Sequence, residues 1–497
     1  MKKTKTKRRT FSLPFSDKEN VKMFKDTIET VRRSCPEIAD MIVKELQDQR
    51  KNLKLIASEN YSSPAVQAAM GTLLTDKYAE GVPYHRFYAG CENIDAIEDY
   101  ACRKACEVFG ADHAYVQPHS GADANLCAFW AILNHKVLEP KFKELQKAHE
   151  SSVSKKKIKT YTDLSKSEWD YLRASCSNQK LLAMDYYSGG HLTHGYRQNI
   201  SAQLFDCYSY SVDPETGLLD YKKIESIAMQ VQPLILLAGY SAYPGKINFR
   251  RMREIADKCG AVLMADMSHF AGLVAGKVYT GDFDPVKWAD IVTTTTHKTL
   301  RGPRGGMILC KKEFAESVDK GCPLVLGGPL PHVMAAKAVA LNEASRDSFR
   351  KYARNVVENA TTIAARLSEN GIKVCTGKTE NHLVLVDVSP LGLTGRQAES
   401  VLRECGLTVN RNAIPNDPNG PWYTSGLRIG TPAVTTLGMG KDEMITIANL
   451  ITTVLINTKA DGDSKTKVVI DEKVVKDVRR KVGKLLEKFP LYPEYEI

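Results

Sequence analysis

Lys298 follows a run of β-branched residues, Ile291 to Thr296, and opens the turn His297-Lys298-Thr299-Leu300-Arg301-Gly302-Pro303-Arg304-Gly305-Gly306. A lysine withdrawn from water and set near other cations has its ammonium form disfavoured, so its amine can attack an aldehyde. His297, Arg301 and Arg304 are placed to supply that field. Alone, such a lysine reads equally well as a solvated residue after a strand. Asp266 changes the balance. It ends a second apolar run, Ala261 to Ala265, and precedes Met267-Ser268-His269. Carboxylates are seldom buried without a partner, and on its own Asp266 could serve as a metal ligand or a helix cap. A pyridinium nitrogen is another such partner. Paired on neighbouring strand ends, Lys298 and Asp266 point to pyridoxal phosphate bound to the lysine as a Schiff base, with the ionised aspartate keeping the ring nitrogen protonated and the ring an electron sink.

The cofactor's phosphate needs donors. Pro118-His119-Ser120-Gly121-Ala122-Asp123-Ala124-Asn125 offers a hydroxyl, a small turn residue and then an apolar helix whose first N–H groups would face an anion. A second turn, Gly327-Gly328-Pro329, precedes another helix and adds backbone donors.

These residues need a scaffold that delivers strand ends to one crevice. Short buried runs at Leu234 to Leu237, Ala261 to Ala265, Ile291 to Thr296 and Gly306 to Leu309 alternate with helical periodicity from about Leu53 to Glu343, the pattern of an α/β layer with a parallel sheet. Open sheets of this kind bind ligands at the strand ends. After Glu343, the runs His382 to Val388, Leu407 to Asn410 and Leu427 to Ile429 suggest a smaller α+β unit closed by a helix from Lys441 to about Thr458. The expected division is a basic arm and helical segment over 1–52, a large unit over 53–345 with a surface insertion at 141–180, a small unit over 346–460, and an extension over 461–497. That extension begins with a linker-like ADGDSKTK and continues with Val474, Val478, Val482, Leu485, Leu486 and Phe489 at helical spacing, an amphipathic helix expected to pack on the body.

At 497 residues the chain is long for a single core, and its 43% hydrophobic and 26% charged residues are those of a globular protein. The net charge of +11 raises the question of nucleic acid, but six basic residues among the first nine and a surplus of five over 141–180 account for it. The body is nearly neutral, so no nucleic-acid partner is expected. Nor is a membrane: no apolar run reaches spanning length, and no secretory h-region follows the basic start. The 12 cysteines are scattered singly without a CxxC pair, which suits reduced thiols in a cytoplasmic protein and no metal centre.

Leu55-Ile56-Ala57-Ser58-Glu59-Asn60, Lys77-Tyr78-Ala79-Glu80-Gly81, Gly189-Gly190-His191-Leu192-Thr193-His194-Gly195, Thr293 to Gly306 and Thr424 to Pro432 together closely resemble the serine hydroxymethyltransferases, in order from about Leu53 to Thr458. The resemblance implies the fold type I architecture of pyridoxal-phosphate-dependent transferases: a large domain with a mostly parallel seven-stranded sheet and a smaller C-terminal α+β domain. It implies reversible conversion of L-serine and tetrahydrofolate to glycine and 5,10-methylenetetrahydrofolate, in a homodimer or dimer of dimers with shared sites. By the same resemblance Lys298 holds the cofactor, Asp266 its ring nitrogen and His191 its ring face. Ser241 and His269 lie near its phenolic oxygen, and Ser120, Gly121, Gly327, Gly328 and a neighbouring subunit's Tyr78 take the phosphate. Arg428 and Ser58 would bind the substrate carboxylate, Glu80 and Tyr88 would handle protons at the serine hydroxyl, and Thr295 would stand beside Lys298. Folate would meet Gly190, His191, Leu192, Asn412 and the loop to Trp422. Ala122 stands where relatives often carry serine, and Phe87 where they often carry tyrosine. The competing chemistry is a folate-independent reaction on the same cofactor, such as threonine aldol cleavage or racemisation.

Overall fold

A computed structural model of the chain describes residues 17–151 and 158–495. The basic positions 2–9 and residues 152–157 of the insertion lie outside the described residues. Seven strands form the large sheet: β1 (His113–Tyr115), β2 (Lys180–Met184), β3 (Asp206–Tyr210), β4 (Ile235–Gly239), β5 (Val262–Asp266), β6 (Ile291–Thr295) and β7 (Gly306–Cys310). Their order is β1-β7-β6-β5-β4-β2-β3. Neighbours from β3 through β6 are parallel, while β7 runs antiparallel to both β6 and β1.

Every residue of β4, β5, β6 and β7 is buried, as expected of strands covered by helices on both faces. The two-residue period sorts their side chains. Leu236, Leu263, Val292 and Leu309 enter one core layer, and Leu237, Met264, Ile291 and Ile308 enter the other. Register then sets Gly239 beside Asp266 and Asp266 beside Thr293. The ends of β4, β5 and β6 therefore lie side by side.

A second sheet contains β8 (Lys373–Val374), β9 (Leu383–Asp387), β10 (Asn410–Asn412) and β11 (Gly426–Gly430), antiparallel in the order β8-β9-β11-β10. The run Leu407 to Asn410, expected as one strand, is divided: Leu407–Thr408 pairs in parallel with Leu53–Lys54, and Asn410 begins β10. Leu53 and Leu55 accordingly join the core of the second sheet, away from the large sheet that they precede in sequence. The helix Asp347–Glu369 spans both cores, with Phe349 and Tyr352 in the first and Ile363 and Leu367 in the second.

The insertion begins within a helix. Gly121–Leu133 continues through a π-helical turn, Asn134–Leu138, into Glu139–Ser151. The polar stretch after Ala460 is ordered, in contrast to the linker its composition suggests. Lys459–Ala460 and Val468–Val469 form a hairpin, and Gln397 Nε2 donates to Ser464 O at 2.7 Å and Lys467 O at 2.8 Å. Turn residues such as Gly462, at φ 57°, resemble linker residues in sequence because both favour small polar types. The amphipathic helix of the tail, Glu472–Leu486, packs as expected, placing Val478, Val482, Leu485 and Leu486 in the second core. No helix among the described residues is long and apolar enough to cross a membrane, and the described cysteines are free thiols.

One buried cation ties the large sheet together. Lys337, 1% exposed on the helix Pro331–Ala344, donates from Nζ to Val116 O at 2.6 Å, Gly306 O at 2.7 Å and Pro118 O at 2.9 Å. An ammonium has three N–H groups, and here each finds a carbonyl. Burial pushes this amine down to about 7, partly offset by Glu98. Lys337→Met would keep the aliphatic stem and remove all three donors. It is expected to cost ~3 kcal/mol and to lower the apparent melting temperature by roughly 3–6 °C. Calorimetry of the variant with its cofactor checks this, and an unchanged transition would show the bonds to be dispensable.

Candidate active site

β5 ends on Asp266, buried at 5% exposure. Its carboxylate accepts three hydrogen bonds: from Ser268 N at 3.0 Å, Asn125 Nδ2 at 2.9 Å and His194 Nε2 at 3.1 Å. His194 Nδ1 accepts the backbone N–H of His191 at 3.3 Å, which fixes the imidazole proton on Nε2, where it meets Asp266. Burial alone would raise the Asp266 carboxyl. The hydrogen bonds from His194 and Asn125 outweigh it and hold the group well below the usual carboxylate range. Asn125 is itself fully engaged. Its other amide hydrogen goes to Thr193 Oγ1 at 2.8 Å, and its oxygen accepts from Thr293 Oγ1 at 2.5 Å. Thr193 in turn lies 2.8 Å from His191 Nδ1, so one network joins the anion to the histidine expected against the cofactor ring.

The turn bearing His191 depends on two glycines. Gly189 has φ 106°, and a Cβ at Gly190 would stand 2.1 Å from Met184 O. Burial, with His194 next, pushes the His191 imidazole down to about 4. At neutral pH it is therefore an uncharged ring.

Lys298 sits three residues beyond β6, its carbonyl accepting Asn60 Nδ2 at 2.9 Å. Burial pushes its amine down to about 8, Asp266 opposing and Arg428 and Arg304 adding to the fall. Thr295 is buried with its hydroxyl given to Ser268 O at 3.2 Å and its N–H to Ser268 Oγ at 3.1 Å, so it joins the ends of β5 and β6 beneath the lysine. His269 is buried, 3.2 Å by Nδ1 from His382 Nε2, and burial among Lys298, Arg428 and His382 pushes it well below its ordinary value.

Arg428, on β11 and 9% exposed, reaches across from the second sheet. Its Nη1 donates to Ser241 O at 2.6 Å and its Nε to Asn410 Oδ1 at 3.2 Å. Among the described residues Nη2 carries no protein hydrogen bond, which leaves an edge of the guanidinium for a carboxylate. Burial lowers this group to about 10, still cationic at neutral pH.

The turn at Ser120 opens an apolar helix, as its sequence suggests. Ser120 caps Gly121–Leu133, its hydroxyl accepting Asp123 N at 3.1 Å and donating to Asp123 Oδ2 at 2.9 Å. A Cβ on Gly121 would lie 2.6 Å from Thr295 Cγ2, so glycine alone keeps the helix start this close to β6. His119 Nε2, beside the turn, and His297 Nδ1, next to Lys298, are buried polar atoms without a protein partner. An anionic, ring-bearing cofactor fits this donor set: an amine of lowered basicity, a buried anion and a serine-capped helix N-terminus.

Tyr78, Glu80, Tyr88 and the Gly327-Gly328 turn form a second cluster. The Tyr78 and Tyr88 rings lie 4.6 Å apart and are half exposed, Glu80 belongs to the same segment, and Gly328 abuts Tyr78 so closely that a Cβ would meet its ring at 2.8 Å. Gly327 adjoins at φ 72°. Arg86 anchors the hairpin of Gly81–Val82 and His85–Arg86 through ion pairs with Asp95 at 2.8 Å and Glu98 at 2.6 Å. The folate positions are dispersed. Asn412 lies on β10 with Nδ2 given to Ala413 O, Leu192 is exposed, and Trp422 has Arg396 and Arg411 over its ring at 5.4 and 5.7 Å. No hydrogen bond or ring contact among the described residues joins Trp422 to Gly190–Leu192. Phe87 is exposed beside the tyrosine cluster.

Sequence reasoning missed Asn125, Thr193, His194, His382, Asn60 and Asn410. One signal was available for Asn125: a polar residue four positions after Gly121 on an otherwise apolar helix shares its face.

A strand-end lysine, a buried aspartate on the neighbouring strand and a capped helix start, on a mostly parallel seven-stranded sheet with a smaller sheet alongside, define a pyridoxal-phosphate-dependent enzyme of fold type I. The family model described as serine hydroxymethyltransferase matches residues 31–167 and 164–451. A serine hydroxymethyltransferase of Treponema pallidum is 60% identical over 474 residues, covering 94% of this chain and 81% of the relative. Those of Salinispora tropica and Mycolicibacterium smegmatis are 54% and 53% identical, covering 95% of this chain and 98% and 94% of their own lengths. The chain belongs to the serine hydroxymethyltransferase family.

Because the nucleophile is the neutral amine, cofactor uptake by the cofactor-free protein should accelerate with pH and level off above about 8, where Lys298 is deprotonated. Stopped-flow absorbance checks this, and a rate still climbing toward pH ~10 would mark an ordinary exposed lysine.

Proposed function

We propose that the residues around Lys298 carry out the reversible transfer of a one-carbon unit from L-serine to tetrahydrofolate, giving glycine and 5,10-methylenetetrahydrofolate. The observation that carries this is the proximity of the Lys298 amine to the Asp266 anion and to Arg428 with its open edge, in a chain matched to relatives of the family over nearly its whole length. Pyridoxal phosphate, when bound, supplies an electron sink that weakens bonds at the amino acid's α-carbon.

The protein's own groups have distinct tasks. Lys298 captures the cofactor aldehyde and later receives it back. Asp266, kept anionic by its donors, holds a proton on the ring nitrogen. His191, uncharged, covers the ring face without competing for that proton. Ser120 and the N–H groups at Gly121 take the phosphate, and Ser241 and His269 border the phenolic oxygen. Arg428 grips the serine carboxylate through two parallel hydrogen bonds, with Ser58 assisting, and so fixes which α-carbon bond faces the ring. Thr295 positions the lysine turn.

Two copies of the chain complete each site: Tyr78, Glu80, Tyr88 and the Gly327-Gly328 turn of one copy serve Lys298 of the other. Support comes from their segregation into a second, exposed aromatic cluster. Glu80 and Tyr88 then move the proton at the serine hydroxyl, and Gly190, His191, Leu192, Asn412 and Trp422 border the folate. We place the boundary between the two working units near residue 345, with residues 461–497 as an extension of the second, and the enzyme in the cytoplasm, where free thiols persist.

Three outcomes test the assignment. Serine turnover by the holoenzyme should depend strongly on tetrahydrofolate; equal turnover without folate would instead favour aldol or racemase chemistry. Lys298→Ala should abolish the absorbance band near ~420 nm and sharply slow turnover. Arg428→Ala should weaken serine binding by roughly 2–5 kcal/mol, since a buried charge-assisted pair is lost, and titration with serine measures it.

A further inference from the structure

The final residues of the chain lie beyond position 451, where the family match ends, and the tasks assigned above leave them without one. They nonetheless bond to the segment that carries Asn60, whose side chain reaches the Lys298 carbonyl. Arg50, at the end of the helix Pro36–Lys51, donates from Nε to Leu491 O at 2.9 Å and from Nη2 to Tyr492 O and to Tyr495 O, the last at 2.8 Å. Twelve residues later the tail makes a second hold. Tyr492 Oη donates to Ser62 O at 2.8 Å and accepts Gln67 Nε2 at 2.8 Å. Leu491 and Tyr495 are buried with Leu46, Tyr61 and Ala433, and the Tyr495 ring stacks on Phe24 at 4.3 Å.

Between those two holds runs the segment that carries Ser58 and Asn60. Asn60 is the direct link to the lysine turn. Its Nδ2 donates to Lys298 O at 2.9 Å and Tyr352 Oη at 2.7 Å, and its Oδ1 accepts from Tyr61 N at 2.9 Å and Thr436 Oγ1 at 2.7 Å. With all its bonds made, Asn60 can stay in place only while the backbone around it does. The Ser62 carbonyl, two residues away, is the point the tail grips.

We propose that the C-terminal tail, Leu491–Tyr495, is a positioning brace for the segment Ser58–Ser62, and that serine affinity depends on its being docked. The brace acts through Ser58 and Asn60 and makes no contact with the reacting atoms. This inference rests on the assignment of Ser58 and Lys298 to the serine site.

Tyr492→Phe removes the hydroxyl that joins Ser62 to Gln67 while keeping the packed ring; a chain ending at Lys488 removes the brace altogether. Lys476→Ala, an exposed position paired with Glu472 on the tail helix, is the control. In cofactor-free protein, amide hydrogen exchange across residues 55–63 should quicken about fivefold in Tyr492→Phe and more in the shortened chain, as expected when a local opening loses one hydrogen-bonded anchor. In holoenzyme, KM for serine should rise about threefold and about tenfold respectively, with kcat within about twofold of wild type, since the segment orients substrate and does not react with it. Lys476→Ala should match wild type in both. If Tyr492→Phe lowers only the melting temperature, with exchange at 55–63 and KM unchanged, the tail is merely structural and the brace is refuted. Faster exchange with unchanged KM also overturns it, because the docking then has no bearing on serine. The exchange comparison needs no turnover, so a wild-type enzyme that fails to convert serine with folate would sink the functional assignment separately.

Discussion

A carboxylate at the end of a fully buried strand is the constraint around which this site is arranged. Asp266 cannot remain an anion in that position without donors, since an unpaired buried charge costs several kcal/mol. Each of its donors comes from a different element. Asn125 projects from the helix after β1, His194 from the turn after β2, and the Ser268 N–H from the chain beyond β5. Satisfying one charge therefore fixes three segments relative to one another. The same residues orient what surrounds them: Asn125 holds Thr193 against His191, and His194 accepts the His191 amide. The anion organises its own surroundings before any ligand arrives.

Its charge is opposed by a larger set of cationic and basic groups. Lys298, Arg428 and Arg304 stand nearby, and beyond burial the two guanidinium groups depress the basicity of the lysine. The imidazoles give way first. His191, His269, His297 and His382 are all pushed down by burial before any charge is counted, so they remain neutral rings, and Arg428 remains charged. Lys298 lies between those extremes. An amine near neutrality can exchange one aldehyde partner for another, which a fully protonated lysine does slowly. The residual positive field suits ligands that bring a phosphate and a carboxylate.

Lys298 and Asp266 were legible in the sequence because each ends a short β-branched or apolar run, and such runs have a fixed meaning in an α/β layer. The Ser120 cap and the strand at Gly306 were legible for the same local reasons. The missed residues depend on pairings that no local pattern records. Asn125 is one polar residue on an apolar helix, and its role appears only when β6 brings Thr293 within 2.5 Å. Leu53–Lys54 precedes the large sheet in sequence but pairs with Leu407–Thr408, some 350 residues distant. ADGDSKTK has linker composition, yet Gln397 supplies the acceptors' partner and folds it into a hairpin. Composition describes what a segment tolerates; long-range hydrogen bonds decide what it becomes.

The two sheets have largely separate apolar cores, so the distance between Lys298 and Arg428 cannot be set by apolar packing alone. Polar ties set it. Arg428 donates to Ser241 O across the gap, Asn60 donates to the Lys298 carbonyl, and His269 meets His382. In the histidine pair one nitrogen must donate and the other accept, so a single proton is shared across the junction, and a second would set two N–H donors against each other at 3.2 Å. Burial and the neighbouring cations exclude that second proton. Neutrality of the pair is thus a condition for the two units to stay at the separation that lets one grip a carboxylate while the other holds the amine.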